Sequence, residues 1–137
     1  MIGKISIIGA GNVGATCAQR IADKGYADIV LVDIIEGLPQ GRALDVLESA
    51  PILRSDAHII GTNSYQETAN SDVVVITSGI TRKPGMTREE LLQINANIVT
   101  GVTHNVVNHS PNCIIIMVTN PLDAMTQLAL RVSKFPR

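Results

Sequence analysis

The sequence has no excess of charge of either sign, with a formal net charge of -1 at pH 7. It offers no basic field to draw nucleic acid and no acidic tail. Cysteine is scarce: Cys17 and Cys113 stand far apart and outside any C-x-x-C spacing. That argues against a disulfide framework or a thiolate metal site. Apolar surroundings predict two buried, reduced thiols. Long apolar runs are missing as well. The longest, Cys113 to Val118, falls far short of the about 20 residues that cross a bilayer. Met1 is followed almost at once by a strand-like run, which is not the pattern of a signal peptide. No repeat, low-complexity tract or linker is visible. The expectation is a cytoplasmic protein that engages neither membrane nor nucleic acid nor metal. Its 137 residues, 45% hydrophobic and 17% charged, suffice to bury a core as one domain, residues 1–137.

What is present is a regular alternation. Four short runs rich in Ile and Val stand out: Ile5 to Ile8, Ile29 to Val32, Val73 to Ile76 and Cys113 to Val118. They are nearly continuous, broken mainly by Ser6. Continuous apolar strands are covered on both faces, as in a parallel sheet under helices. A weaker run, Ala57 to Ile60, predicts a fifth strand. Helical spacing recurs between them. Val13, Cys17 and Ile21 mark one helix, and Leu44 and Leu47 another. Leu91, Ile94, Ile98, Val102 and Val106 mark a long one, and Met125, Leu128 and Val132 a fourth. A short helical turn is expected around Gln66 to Asn70. The order predicts an α/β fold: a doubly wound, mostly parallel sheet of about five strands, in the order 3-2-1-4-5.

Gly9-Ala10-Gly11-Asn12-Val13-Gly14 follows the first strand directly and opens the first helix. In that context G-x-G-x-x-G has a mechanism. Gly9 permits the tight turn, Gly11 lets a pyrophosphate approach the main chain, and Gly14 lets helix and strand pack closely. The helix N-terminus then faces the anion. Asp33 ends the next strand, 19 residues after Gly14. An acid there accepts hydrogen bonds from the adenosine ribose and repels a 2′-phosphate, which favours NAD over NADP. The alternatives are a glycine turn without a ligand and an ordinary strand-end aspartate.

Ser78 to Thr87 reads Ser-Gly-Ile-Thr-Arg-Lys-Pro-Gly-Met-Thr, a loop at the carboxyl end of the fourth strand, where ligands bind in open α/β sheets. Thr87 and Glu90 form a T-x-x-E capping box. Arg88 then sits in the first helical turn, where it opposes the helix dipole. Arg82, Lys83 and Arg88 concentrate positive charge there. Guanidinium groups suit carboxylates, and the alternative is a solvated basic loop.

The glycine turn, Asp33, Thr68-Ala69-Asn70-Ser71-Asp72, Arg82-Lys83-Pro84-Gly85-Met86-Thr87-Arg88 and Val118-Thr119-Asn120-Pro121 together resemble the malate dehydrogenases, in particular the lactate-dehydrogenase-like type. The resemblance implies that the chain is their NAD-binding Rossmann half. It implies that Arg82 pairs with the second carboxylate of malate or oxaloacetate, where lactate dehydrogenases usually carry glutamine. Arg88 polarises the substrate carbonyl, and Asn120 hydrogen-bonds substrate beside the nicotinamide. On the same resemblance Asn95 and Asn120 contact the cofactor, and Val118 and Thr119 supply backbone contacts near the nicotinamide ribose. The helix around Leu38 to Ala50 corresponds to a subunit contact, which predicts a homo-oligomer. On the residues alone, Asn120 before Pro121 also reads as a helix N-cap with proline at N1, and Asn95 as a residue on a helix's wet side.

Oxidising a hydroxyl carbon needs a base, for which a histidine suits. His58, His104 and His109 all lie away from the arginine loop. In the family that histidine sits in a second half beginning with a sixth strand, and neither is expected here. The chain is therefore expected to bind NAD without turnover. A non-catalytic NAD-sensing module is the alternative, but it has no use for Arg82 and Arg88. A short-chain dehydrogenase would need Y-x-x-x-K, whereas Tyr26 is followed by Val30 and Tyr65 by Ala69.

Overall fold

A computed structural model describes residues 3–136; Met1, Ile2 and Arg137 lie outside the described residues. Strand and helix alternate as β1 (Gly3–Ile8), α1 (Asn12–Ala22), β2 (Ala27–Val32), α2 (Leu38–Leu53), β3 (Ile59–Thr62), a 3-10 turn (Gln66–Thr68), β4 (Val73–Ile76), α3 (Arg88–His109), β5 (Ile114–Met117) and α4 (Leu122–Ser133). The five strands are parallel and lie in the order β3-β2-β1-β4-β5. The chain thus builds outward from β1 to β3, then returns to the other side of β1 for β4. The connections leave β1 and β4 in opposite directions, which opens a crevice at their carboxyl ends.

Alternation along each strand divides the core in two. Ile7, Ile29, Leu31, Ile59 and Val75 pack with Ala18, Ala22 and Ala43 of α1 and α2. Ile8, Val30, Val32, Val74 and Ile76 face the other way, onto Val102 and Val106 of α3. Met125 and Ala129 of α4 close on Val99. Ser6, the polar break in β1, is fully buried and its Oγ is 2.7 Å from Ser71 Oγ.

Several expectations need correcting. The weak run at Ala57 to Ile60 lies two residues early, since β3 begins at Ile59. Not every strand is covered on both faces. Ile114 is 65% exposed and Ile116 47%. They pair in register with Val73 and Val75, so they point to the face of α1 and α2, whose core cluster takes in β4 but stops short of β5. Leu44 and Leu47 do lie on a helix but face outward; Pro39 and Ala43 are the buried residues. On α1 the closest row is Gly14, Ala18 and Ala22, and Val13 is exposed. The long helix buries Asn95, Val99, Val102, Thr103 and Val106, so its inner face is rotated from the expected one. Cys113 is buried and Cys17 half-buried; both are free thiols whose pKa burial pushes up.

Candidate functional site

The glycine turn joins β1 to α1 at the carboxyl edge of the sheet. Gly9 has φ +113°, a left-handed value that a side chain resists, and its N–H donates to Val32 O at 2.7 Å. A Cβ on Gly14 would stand 1.8 Å from Gly9 O, so only glycine lets the helix start this close to the strand. A Cβ on Gly11 would meet nothing within 4 Å. Gly11 is the N-cap of α1, and neither a side-chain cap nor an acidic first turn serves the helix N-terminus. The leading N–H groups of Asn12, Val13 and Gly14 therefore open onto the crevice with the positive end of the dipole. These features fit a pyrophosphate.

Asp33, one residue past β2, is tied into this turn. Its Oδ2 accepts from Ala10 N at 2.7 Å and its Oδ1 from Ile35 N at 3.0 Å. A carboxylate has about four acceptor positions, so both oxygens keep one for ribose hydroxyls. Tyr65 lies behind it. Burial, and then the Asp33 charge, push the Tyr65 hydroxyl up to about 12.

The loop after β4 is sewn to its neighbours. Thr77 Oγ1 donates to Ile8 O and Gly9 O, at 3.2 and 3.1 Å. Thr119 is buried, and its Oγ1 donates to Ser78 O at 2.8 Å. Val118 N donates to Ile76 O at 2.9 Å. Asn95 is only 1% exposed, which corrects the wet-side reading. Its Oδ1 accepts from Ile80 N at 2.8 Å, and its Nδ2 donates to Ile80 O at 3.1 Å and Asn120 O at 2.7 Å. One amide thus holds the arginine loop against the segment after β5. Gly79 is needed between them: a Cβ there would stand 2.5 Å from Thr119 Cγ2.

The Asn120–Pro121 peptide is cis, and α4 starts at Leu122 with Pro121 as N-cap. The N-cap reading of Asn120, with Pro121 at N1, is therefore corrected. Asn120 is exposed, and its carbonyl is the atom engaged by Asn95. Arg82 is exposed, with its Nε on Met86 O at 2.9 Å. Arg88 is the exposed first residue of α3, behind the expected capping box of Thr87 and Glu90. Hydrogen bonds from the Thr87 backbone, and then its side chain, hold the Glu90 carboxyl below its usual range.

The histidines lie elsewhere. His58 O accepts from Ile29 N near the amino ends of β2 and β3. His109 ends the helix that Arg88 begins, about 32 Å away at 1.5 Å per residue. Asn63 was not anticipated from the sequence: its Nδ2 donates to Asp33 O at 2.7 Å and Ile35 O at 3.0 Å.

The profile of the lactate/malate dehydrogenase NAD-binding domain matches residues 3–137. The chain belongs to the lactate/malate dehydrogenase family. It is 60% identical over 133 residues to a malate dehydrogenase of Thermomicrobium roseum, covering 97% of this chain and 43% of that protein. The Cryptosporidium parvum malate dehydrogenase structure superposes with TM-score 0.93 at 48% identity, over 99% of this chain and 43% of that one. A lactate dehydrogenase from the same organism, complexed with lactic acid and the nicotinamide cofactor, gives 0.93 at 42%, over 99% and 43%. The chain thus spans about 43% of the length of these relatives. As the NAD-binding domain of this family, it takes NAD as its cofactor. Among the described residues no helix is long and apolar enough to cross a membrane.

Proposed function

We propose that residues 1–137 are one dinucleotide-binding domain, the cofactor half of an NAD-dependent malate dehydrogenase that interconverts malate and oxaloacetate. The observation that carries this is that Arg82 lies on, and Arg88 directly follows, a loop that Asn95 anchors at the sheet's carboxyl edge, the edge that bears the glycine turn and Asp33. The main chain from Gly9 through Ala10, Gly11, Asn12 and Val13 to Gly14 holds the pyrophosphate, and Asp33 holds the adenosine ribose. Asn95, Val118 and Thr119 shape the nicotinamide end. Bound NAD supplies the hydride acceptor. Arg82 pairs with the substrate's second carboxylate, Arg88 polarises its carbonyl, and Asn120 orients it.

No histidine of these residues reaches the loop, so the 137-residue chain binds NAD without turning over malate. Two free thiols favour a reducing cytoplasm. Exposed Leu44, Leu47, Ile52 and Leu53 on α2 favour a homo-oligomer. Calorimetric titration with NAD, NADP and ADP-ribose, beside an assay for malate-dependent NADH, tests the reading. NAD and ADP-ribose should bind well ahead of NADP, with no NADH formed. Equal weak binding of all three overturns the cofactor assignment, and sustained NADH production overturns the claim of no turnover.

A further inference from the structure

Asn63 is exposed, yet both its amide hydrogens and its amide oxygen are engaged. Both Nδ2 hydrogens go to main-chain carbonyls, those of Asp33 and Ile35, and Oδ1 accepts from Gln40 Nε2 at 2.6 Å. An exposed asparagine gains little from such bonds unless the groups it joins must hold still. The groups in question are the ones that set the Asp33 carboxylate. Asn63 lies one residue past β3, just as Asp33 lies one residue past β2, and Val32 and Thr62 are register partners. The last sheet contact between them is long, 3.3 Å from Asp33 N to Thr62 O. Beyond it, the sheet no longer directs the chain.

The path from Asp33 to α2 then relies on side chains. Ile35 has its N–H held by Asp33 Oδ1 and its carbonyl held by Asn63. Asn63 also fixes the peptide that follows Asp33. Gln40, in the first turns of α2, braces Asn63 from the far side of the loop. Three elements therefore converge on one amide: the end of β2, the loop through Ile35, and α2.

We propose that Asn63 is a positioning residue for ribose recognition. It holds the Asp33–Ile35 turn so that the carboxylate faces the adenosine ribose and meets any 2′-phosphate squarely. This rests on the reading of Asp33 given above. Asparagine suits the task because its NH2 group bridges two carbonyls while its oxygen takes the brace. Aspartate has no donor for either carbonyl, and alanine has neither function.

The test is calorimetric titration of NAD and NADP into the 137-residue chain and its Asn63→Ala, Gln40→Ala, Asp33→Ala and Asn63→Ala/Asp33→Ala variants. Asn63 is exposed, so its truncation leaves the core packed, and circular dichroism checks that. Asn63→Ala should weaken NAD binding about tenfold and narrow the preference for NAD over NADP. Gln40→Ala should do the same to a smaller degree. In the Asp33→Ala background, Asn63→Ala should change nothing further, because its effect passes through that carboxylate. A second tenfold loss in the double variant, or wild-type preference in Asn63→Ala, overturns the proposal while leaving Asp33's role intact. A parent chain without preference for NAD overturns the ribose assignment, and this proposal with it.

Discussion

Replacing Gly11 and Gly14 by alanine, one at a time, separates holding the fold from holding the ligand. At Gly14 the new methyl would stand 1.8 Å from Gly9 O and 3.0 Å from Gly9 C. The obstacle is the main chain of Gly9, whose N–H donates to Val32 O, and it cannot swing aside like a flexible side chain. Helix and strand must part by more than about 1 Å, a strain of about 1–3 kcal/mol or more, against a helix-propensity gain of about 1 kcal/mol. Gly11→Ala meets nothing within 4 Å, and its φ of -66° suits alanine. It exchanges an N-cap glycine at a stability loss of about 1 kcal/mol or less. Its methyl, however, enters the space through which a pyrophosphate approaches the N–H groups, and NAD affinity should fall about 100-fold. Gly101→Ala, in the exposed middle of α3 with nothing within 4 Å, is the control. It should gain about 1 kcal/mol and bind NAD normally. Urea unfolding followed by circular dichroism gives the stabilities, and calorimetry the affinities. A Gly14→Ala chain as stable as Gly101→Ala, or a Gly11→Ala chain that binds NAD like the parent, refutes the reasoning.

Two further outcomes are expected. Asn95→Leu keeps the volume but removes the partner of Ile80 N, Ile80 O and Asn120 O; it should destabilise the chain by about 1–3 kcal/mol for each of these groups that water does not reach and speed hydrogen exchange at the Ile80 amide, and unchanged exchange would contradict the clamp. Tyr65 keeps its proton up to about pH 12 when folded but releases it near 10 in the unfolded chain. The stability this group contributes should therefore fall progressively between about pH 10 and 12, the unfolded state binding fewer protons there. In a Tyr26→Phe background Tyr65 is the sole tyrosine, and its absorbance titration reads the midpoint directly; a midpoint near 10 would contradict the burial argument.

The strands and the glycine turn were legible because both follow local rules. β1, β2 and β4 lie under helices on both faces, so their apolar runs are nearly continuous, interrupted only by Ser6 of β1. The turn needs glycine at fixed offsets for steric reasons that hold in any chain. Helix faces were less legible. Periodicity singles out large apolar residues, whereas α1 and α2 meet the sheet through small ones. Gly14, Ala18 and Ala22 form the inner row of α1. On α2 the approach is set by Gly61, where a Cβ would stand 2.0 Å from Pro39 O. Close approach leaves no room for Leu44 or Leu47, so they turn outward. Asn95 misled for a related reason: its polarity suggests solvent, but two loops supply the partners that make its burial favourable. Asn63 gave no sequence signal, because the carbonyls it joins are brought to it only when β2 and β3 pair.

The two ends of the arginine loop are pinned by different devices, Asn95 at Ile80 and the capping box at Thr87. Between these pins lie residues 81–86, a third to a half shorter than the whole connection 77–87. Ordering a residue's backbone removes about 1–2 kcal/mol of conformational entropy. Any rearrangement that brings Arg82 onto a ligand must therefore order only that short span, since its flanks are already ordered. The clamp thus acts as prepaid preorganisation: interactions made once, in folding, lower the entropic penalty of each later binding event.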